Sequence, residues 1–271
     1  AFRARSVRSH TKMKLSLAEL DLTVSPQRLF TLRKQRVECP SCHFKYQYFC
    51  RDCNRLLLQQ HCEQNNLDIE RFQIPEIKLP IQITILQSTL EKKKDSSVQY
   101  VAPLPVQNLK VVEFADQFSQ IQPGSLLLMP SETAVDAADV DFSKFSNCYI
   151  LDCKWSQCQR LQQTSPELFA CQNVVLTGFQ SSFWRPHGRK FDGCLSTIEC
   201  MYFMCKLADK QLRNSVHLDD VLTFYANNIL LVKKSMKEAG RKTLLPNCKS
   251  AQEYEDWDET VKQLAGKWQL E

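Results

Sequence analysis

The middle of the chain alternates short apolar runs, bounded by turn residues, with amphipathic segments. The runs are typical of strands, most of them buried on both faces of a sheet, and they predict strands at 81–86, 124–129, 147–151 and 173–177. Apolar positions recur near helical spacing in the longer segments, and the pattern predicts helices at 156–163, 196–211 and 218–238. Strands that alternate with helices predict an α/β fold with a mostly parallel sheet flanked by helices.

Proline and charge divide the chain into four predicted regions. Prolines at both ends of the stretch 74–80 disfavour helix, so we predict an extended linker there, at the start of a main domain that covers 74–240. The other predicted regions are a flexible basic arm, a small cysteine-bearing ribbon with its linker, and a C-terminal extension with a polar helix at 250–267; they cover 1–36, 37–73 and 241–271.

Composition and charge limit the classes of protein that fit. With 271 residues and 43% hydrophobic content, the chain can bury one large core beside a small appendage, and no apolar stretch reaches the length of a membrane span. The net charge is +5, but five basic residues and no acidic one precede Glu19, so the remainder is neutral. Bulk charge is therefore weak support for RNA binding, which would need a local basic patch.

The acid-free N-terminal stretch allows more than one interpretation. Its arginine and serine content fits a transit peptide. We favour a native start near Met13 or a flexible arm.

Four of the 13 cysteines have the spacing of a metal site. Cys39-x-x-Cys42 and Cys50-x-x-Cys53 are two closely spaced CxxC pairs, which suit tetrahedral zinc coordination by thiolates, with a redox pair as the alternative. Four thiolates leave no open coordination position, so the predicted zinc ion is structural. The remaining cysteines lack the spacing of a disulfide framework and are expected to be reduced, and the nearby His43, His61 and Cys62 are expected to be surface or packing residues.

Three segments far apart in the chain carry candidate chemistry. Asp152 ends an apolar run, where open α/β sheets gather their ligands, and Trp155 follows it. The segment 183–185 adds an aromatic pair and an arginine, and Ser196-x-x-Glu199 predicts a capping box at a helix start. Each has a simpler structural explanation alone, but together they offer the parts that a charged cofactor and a phosphate-rich substrate need.

The ordered motifs Asp152-x-x-Trp155, Phe183-Trp184-Arg185 and 195–199, with the cysteine cluster upstream, resemble those of the DTW-domain family of tRNA-uridine aminocarboxypropyltransferases. The resemblance extends from about Cys39 to the helix after Leu218 and is closest to a eukaryotic branch of the family. It implies a knotted SPOUT-like domain that binds S-adenosylmethionine. It also implies transfer of the 3-amino-3-carboxypropyl group to N3 of a uridine in the tRNA D-loop, with release of methylthioadenosine, and a nuclear location, with the cytoplasm as a second one.

The resemblance also suggests roles for individual residues. The inferred walls of the cofactor site are Met129, Pro130, Leu151, Asp152, Trp155, Leu195, Ser196 and Thr197. Asp152 is the catalytic candidate, either as the base that accepts the uridine proton or as a positioning group. The candidates for tRNA contact are Trp184, Arg185, Arg189 and Lys190, with a mobile basic loop as the alternative.

The chain departs from the family pattern at two positions. Lys154 stands where the family has threonine, and Ser131 follows a strand-end proline where the family usually has glycine. These departures keep open a noncatalytic zinc-ribbon RNA adaptor, which would not bind the cofactor. A tRNA methyltransferase, which would release S-adenosylhomocysteine, is the other alternative, because S-adenosylmethionine can donate either its methyl or its aminocarboxypropyl group. The oligomeric state is not predicted.

Overall fold

The computed structural model describes residues 13–32, 35–182 and 195–238. The strands in this part of the chain are β1 Met13–Lys14, β2 Val37–Glu38, β3 Lys45–Tyr46, β4 Phe49–Cys50, β5 Arg55–Leu56, β6 Ile77–Ser88, β7 Val106–Phe114, β8 Ser125–Leu128, β9 Val135–Asp136, β10 Asn147–Asp152, β11 Gln172–Val175 and β12 Phe179–Gln180. The α-helices are α1 Pro26–Thr31, α2 Leu58–Asn65, α3 Trp155–Thr164, α4 Pro166–Phe169, α5 Thr197–Leu212 and α6 Thr223–Glu238. Short 3-10 turns include Lys93–Asp95, Ser97–Tyr100 and Asp219–Leu222.

The main sheet has six strands in the order β7-β6-β10-β8-β11-β9, and every neighbouring pair is parallel. Parallel strands place their carboxyl ends at one edge, so the loops after β6, β8 and β10 start side by side. The predicted α/β fold with a largely parallel sheet flanked by helices is confirmed.

Side chains alternate between the two faces of this sheet. In β6, Ile83 and Ile85 belong to the large core that also contains the buried residues of α5 and α6. Leu86 instead packs in a smaller cluster with Leu161 of α3 and Leu168 of α4. Because both faces of the sheet are covered there, the central strands β8 and β10 are mostly apolar, and this explains why their sequences are nearly continuous hydrophobic runs.

The structure corrects the predicted linker. Residues from Ile77 onward belong to β6, and Pro80 lies inside that strand. Pro80 is tolerated because the pairing with β7 is irregular between Lys78 and Ile83, where four residues of β6 face Asn108 alone. Asn108 takes a left-handed φ of 64° and its Nδ2 donates to the carbonyl of Leu79, 2.9 Å away.

The predicted flexible arm is wrong for residues 13–32. Most apolar residues of this stretch are buried in the large core or pack against it, with Leu20 and Leu29 almost fully enclosed, although Met13 is exposed. Ser25 caps α1 by accepting from the Arg28 amide, and Pro26 occupies the first turn, so the local sequence specifies the helix start. Strand β1 pairs in parallel with β12. Residues 1–12, and the predicted helix at 250–267, lie outside the described residues.

The cysteine-bearing ribbon consists of two short antiparallel pairs, β2 with β3 and β4 with β5, followed by α2. Its small core contains Val37, Cys39, Cys50 and Leu57. The ring of Phe49 lies 4.9 Å from that of Phe224 in α6, so aromatic packing joins the ribbon to the main domain.

Candidate functional site

Asp152 lies at the carboxyl end of β10 and is only 8% exposed. Its Oδ1 accepts a hydrogen bond from Thr197 Oγ1 at 2.7 Å. Its Oδ2 accepts from Ser96 Oγ at 2.6 Å and from Gln87 Nε2 at 2.9 Å. Asp152 therefore joins the last residue of β10 to the end of β6, to the loop that follows it and to the first residue of α5.

Gln87 and Ser96 were not among the candidates from sequence. Gln87 is the residue of β6 that pairs with Asp152, so the parallel register places the two side chains at the same height. Ser96 caps the 3-10 turn Ser97–Tyr100 by accepting from the amide of Val98 at 3.0 Å. A buried glutamine at the end of an otherwise apolar strand was a usable signal, whereas Ser96 had no signal beyond its possible capping role.

The start of α5 is a capping box, as predicted from Ser196 and Glu199. The Glu199 carboxylate is fully buried and accepts from both the amide and the hydroxyl of Ser196, each at 2.8 Å. It also accepts from Ser181 Oγ at 2.7 Å and from the amide of Ser182 at 2.6 Å. This charge is therefore compensated by four donors, and it fixes the segment before residue 183 against the helix start.

The loops inferred as cofactor walls meet at one edge of the sheet. Leu128 pairs with Ile150, so Met129 and Leu151 follow at neighbouring positions beside Asp152. Met129, Leu151 and Leu195 are half-buried, and Ser196 is buried. Pro130 and Trp155 are exposed, the latter by 48%, whereas half-buried Thr197 contacts Asp152 directly.

The two departures from the family pattern are accommodated locally. Lys154 precedes the first residue of α3, and its amide donates to Gln157 Oε1 at 2.9 Å. Its side chain is 71% exposed, with Nζ 3.7 Å from the Glu91 carboxylate. Ser131 is not among the residues with positive φ, so this loop does not require the conformational freedom of glycine.

Two thiols tie the first turn of α3 to the strand end. The sulfur atoms of Cys153 and Cys158 are 3.3 Å apart. This hydrogen bond, together with burial, raises the pKa of the Cys153 thiol, and the same hydrogen bond lowers the pKa of Cys158.

The four residues expected to contact tRNA, Trp184, Arg185, Arg189 and Lys190, lie outside the described residues.

The four cysteines of the ribbon come together as the spacing predicts. The ligand sulfur atoms of Cys39, Cys42, Cys50 and Cys53 all lie within 4.8 Å of one another, and those of Cys42 and Cys50 are 3.5 Å apart. Zinc–sulfur bonds of about 2.3 Å in a tetrahedron place sulfur atoms about 3.8 Å apart, so the cluster can hold a structural zinc ion.

The surroundings act differently on the thiols of the cluster: the pKa of Cys39 is lowered, whereas burial raises the pKa of Cys50 and the hydrogen bond with Cys42 raises that of Cys53 to about 12. The amide of Cys53 donates to Cys50 Sγ at 3.4 Å. Burial raises the pKa of Cys39, whereas hydrogen bonds from the backbone amides of Ser41 and Cys42 and from neighbouring thiols lower it. The lowering effects together exceed the effect of burial, and the pKa falls to about 6. Because a zinc ligand must be deprotonated, a thiol of this kind can bind the metal at neutral pH.

The three spare ligands near the cluster have other surroundings. His43 is exposed and its Nδ1 lies 2.8 Å from Glu38. His61 is buried and its Nε2 contacts the carbonyl of Gln47, while burial lowers its pKa. Cys62 is buried in α2, in the large core. All three fit the predicted surface or packing roles.

Among the described residues, no helix combines the length and apolar character that a bilayer crossing requires.

The parallel sheet, the residues around Asp152 and the four-cysteine cluster define an α/β protein with a candidate ligand site at the carboxyl edge of its sheet. A family model described as the DTW domain matches residues 47–230, about two thirds of the chain, and the chain belongs to that family. A search of curated proteins and a search of solved structures gave no match. The DTW domain is associated with tRNA aminocarboxypropyltransferases, so membership implies a transferase role in tRNA modification.

Proposed function

We propose that this protein transfers the 3-amino-3-carboxypropyl group of S-adenosylmethionine to N3 of a uridine in the D-loop of tRNA, with release of methylthioadenosine. The observation that carries the proposal is the hydrogen bond between Thr197 and Asp152, residues 45 positions apart that belong to two different family motifs. This contact brings the loop after β10 and the start of α5 into one site within the matched domain. We also propose that the domain has the knotted SPOUT-like arrangement, for which the parallel sheet with its strand-end loops is the support.

The residues at this site fit the proposed cofactor. A carboxylate accepts about four hydrogen bonds, and Asp152 has three donors, so one acceptor position remains for a hydroxyl or ammonium group. Half-buried Met129 and Leu151, which pack against the smaller cluster under α3 and α4, offer apolar surface for a purine ring, and half-buried Leu195 packs against the large core on the side of α5. S-adenosylmethionine, when bound, supplies an electrophilic methylene carbon next to a sulfonium that is a good leaving group.

The chemistry needs few groups from the protein. A bond forms between uridine N3 and the methylene carbon, the carbon–sulfur bond breaks with its electron pair going to sulfur, and the N3 proton leaves to water. The residues of the site hold the two reactants in line, which is control by proximity and orientation. Which carbon faces the acceptor decides between aminocarboxypropyl and methyl transfer.

We propose that Asp152 is a positioning group rather than the base, because its carboxylate already accepts hydrogen bonds from three donors on other elements. The pH dependence of Asp152→Asn separates the two roles. We expect transfer to fall about 100-fold or more at every pH, with the shape of the pH profile unchanged. Loss of the rising limb of the profile in the variant would instead assign the base role to Asp152.

The reaction itself is tested with two labels. The purified protein is incubated with unmodified tRNA and S-adenosylmethionine labelled either in the aminocarboxypropyl group or in the methyl group, and the product nucleotide is mapped by mass spectrometry. We expect only the first label in a D-loop uridine, with methylthioadenosine as coproduct. Methyl label in tRNA with S-adenosylhomocysteine would establish the methyltransferase alternative, and absence of cofactor binding would favour the noncatalytic adaptor.

We further propose that Trp184, Arg185, Arg189 and Lys190 contact the tRNA, which the basic and aromatic character of the segment supports. The four-cysteine cluster is proposed to hold a structural zinc ion. The proposed location is the nucleus, with the cytoplasm as a second site, and fractionation of cells with detection of the protein tests it.

A further inference from the structure

We propose that a cavity between the cysteine ribbon and α6 binds an unpaired nucleotide of the tRNA substrate. This ribbon cavity has a volume of about 280 Å³, and its walls come from the segment between the two CxxC pairs, from the turn Ser97–Tyr100 and from α6. It is a second site, distinct from the strand-end site at Asp152. The inference rests on tRNA being the substrate, but not on which group is transferred.

The charge around the cavity favours an anion. Its lining includes the basic residues Arg36, Lys45, Arg51 and Lys94 and no carboxylate. Among the described residues, none of these four forms an ion pair. Arg36, Lys45 and Lys94 are exposed, so their charges are available at the rim. Uncompensated basic groups around a concave surface raise the local concentration of phosphates.

The aromatic part of the lining favours a nucleobase over a simple anion. The lining includes the aromatic residues Tyr46, Tyr48, Phe49, Tyr100 and Phe224, of which Tyr46 and Phe49 are half-buried and the other three are buried. The guanidinium of Arg51 lies 5.4 Å from the centre of the Tyr46 ring. Aromatic and guanidinium planes are the surfaces on which unpaired RNA bases stack. An acidic peptide would use the cations but would have no need of these planes.

Asn227 lies in the wall of the cavity, and its side-chain oxygen is itself buried. This residue of α6 lines the cavity, is 1% exposed, and its side-chain Oδ1 has no hydrogen-bond partner among the described residues. A buried amide oxygen without a donor is costly, so a ligand that brings an N–H group there would be favoured. The edge of a nucleobase carries such donors.

The size and position of the cavity suit a strand that continues to the proposed catalytic site. A volume of about 280 Å³ is near the lower limit for ligand sites, about 300 Å³, which fits one nucleotide but not a duplex. Gln99 and Tyr100 line the cavity, and Ser96, immediately before their turn, donates to Asp152 at 2.6 Å. The same short segment thus borders both sites.

The salt dependence of tRNA binding tests the proposal on variants that should fold. Lys94→Gln removes an exposed charge at the cavity. The matched control is Lys210→Gln, which removes an exposed charge in the last turn of α5, outside the lining of the cavity. In plots of log Kd against log salt for unmodified tRNA, we expect Lys94→Gln to reduce the slope by about 0.7, the value for one contact with a single strand, and to weaken binding several-fold. Lys210→Gln should match the wild type. Equal slopes for the wild type and Lys94→Gln would overturn the proposal.

Crosslinking identifies the contact independently. We expect photo-crosslinking of unmodified tRNA to label a peptide that contains residues 45–51, and labelling confined to other peptides would overturn the proposal. Uridine monophosphate at millimolar concentration should compete only weakly with tRNA for the cavity. Saturable binding of the mononucleotide without any effect on tRNA affinity would assign the cavity to a free nucleotide and overturn the proposed tRNA contact. None of these readouts depends on catalysis. A failure of the labelled transfer reaction with normal tRNA binding would therefore reject the proposed function and leave this inference standing.

Discussion

At the scale of single residues, the site depends on two buried carboxylates that each accept several hydrogen bonds. Asp152 and Glu199 both lie where a loop meets α5, and each accepts hydrogen bonds from at least three donors. A buried carboxylate persists only when such donors compensate its desolvation. The two carboxylates therefore specify how the surrounding loops are arranged. We expect their substitution to act mainly by displacing these loops, and less by removing the charge itself.

The hydroxyl of Thr197 provides the sharpest test of that arrangement. Thr197→Val keeps the shape of the side chain but removes the 2.7 Å hydrogen bond to Asp152, whereas Thr197→Ser retains the donor. A hydrogen bond to a charged group contributes about 1.5–3 kcal/mol, so we expect kcat/KM for transfer to fall about 10- to 100-fold in the valine variant. The serine variant should stay within a few-fold of the wild type. Equal kcat/KM values for Thr197→Val and the wild type would show that transfer does not need the hydrogen bond between Thr197 and Asp152.

A third carboxylate predicts the response of stability to acid. Burial raises the pKa of Asp219, but the amide of Asp21, the ammonium of Lys206 and the hydroxyl of Tyr202 lower it, and the balance leaves it below its usual 3.8. Because the folded-state pKa is depressed, the stabilisation is present above about pH 4 and is lost as the pH falls through the folded-state value.

Chemical denaturation at several pH values measures this effect. At pH 7 we expect Asp219→Asn to lower the free energy of unfolding by about 2 kcal/mol, since it weakens hydrogen bonds to a charged group. The difference from wild type should shrink below pH 4. A constant difference down to pH 2 would contradict the ionised role of this carboxylate.

The residues that could be foreseen at this scale were those with a local pattern. Ser196 and Glu199 are three positions apart and form a capping box by themselves, and Asp152 ends a recognisable strand. Gln87 reaches Asp152 because of the register of β6 against β10, and Ser96 reaches it because of the turn that follows Ser96. The sequence of a single segment reveals neither the register nor the turn.

At the scale of elements, we expect the cysteine ribbon to depend on the proposed zinc ion. Its hydrophobic core is small, with four buried members of which two are the cysteines Cys39 and Cys50. A core of that size cannot by itself offset the loss of chain entropy, so we expect the remaining free energy of folding to come from the metal and from packing of the ribbon against the large core.

Zinc content tests this dependence. Cys50→Ser should lose about one zinc ion per chain, because the four-thiolate site is incomplete, and should weaken tRNA binding at the ribbon cavity. Cys62→Ser, which also replaces a buried cysteine but outside the cluster, should retain the metal. The measurement is elemental analysis of the purified variants. Full zinc content in Cys50→Ser would contradict the assignment of this ligand.

Elements with one dominant pattern were predicted, and those that combine two patterns were not. Strands β8, β10 and β11 are short apolar runs and were found within two residues of their ends. Strand β6 was predicted only in part because Pro80 normally argues against a strand, and β7 was missed because exposed and half-buried residues mix along it without a strict alternation.

At the scale of the whole molecule, distant parts of the chain fasten the domain together. The amide and hydroxyl of Thr23 both donate to Asp220, 197 positions away, at 2.8 and 2.7 Å. The N-terminal stretch is thereby fixed to the turn before α6, and α6 in turn packs against the ribbon through Phe224. Contacts between residues so far apart leave no signal in the local sequence. For this reason the basic composition of the N-terminal stretch suggested a flexible arm instead of a packed segment.

The central claim is that the loops after β8 and β10 and the start of α5 form one cofactor site. A crystal structure of the protein with methylthioadenosine tests it most directly, and it would also show whether the chain is knotted. We predict density for the nucleoside beside Asp152, in contact with Met129, Leu151 and Leu195. Density for methylthioadenosine only elsewhere, for example in the ribbon cavity, would contradict the account.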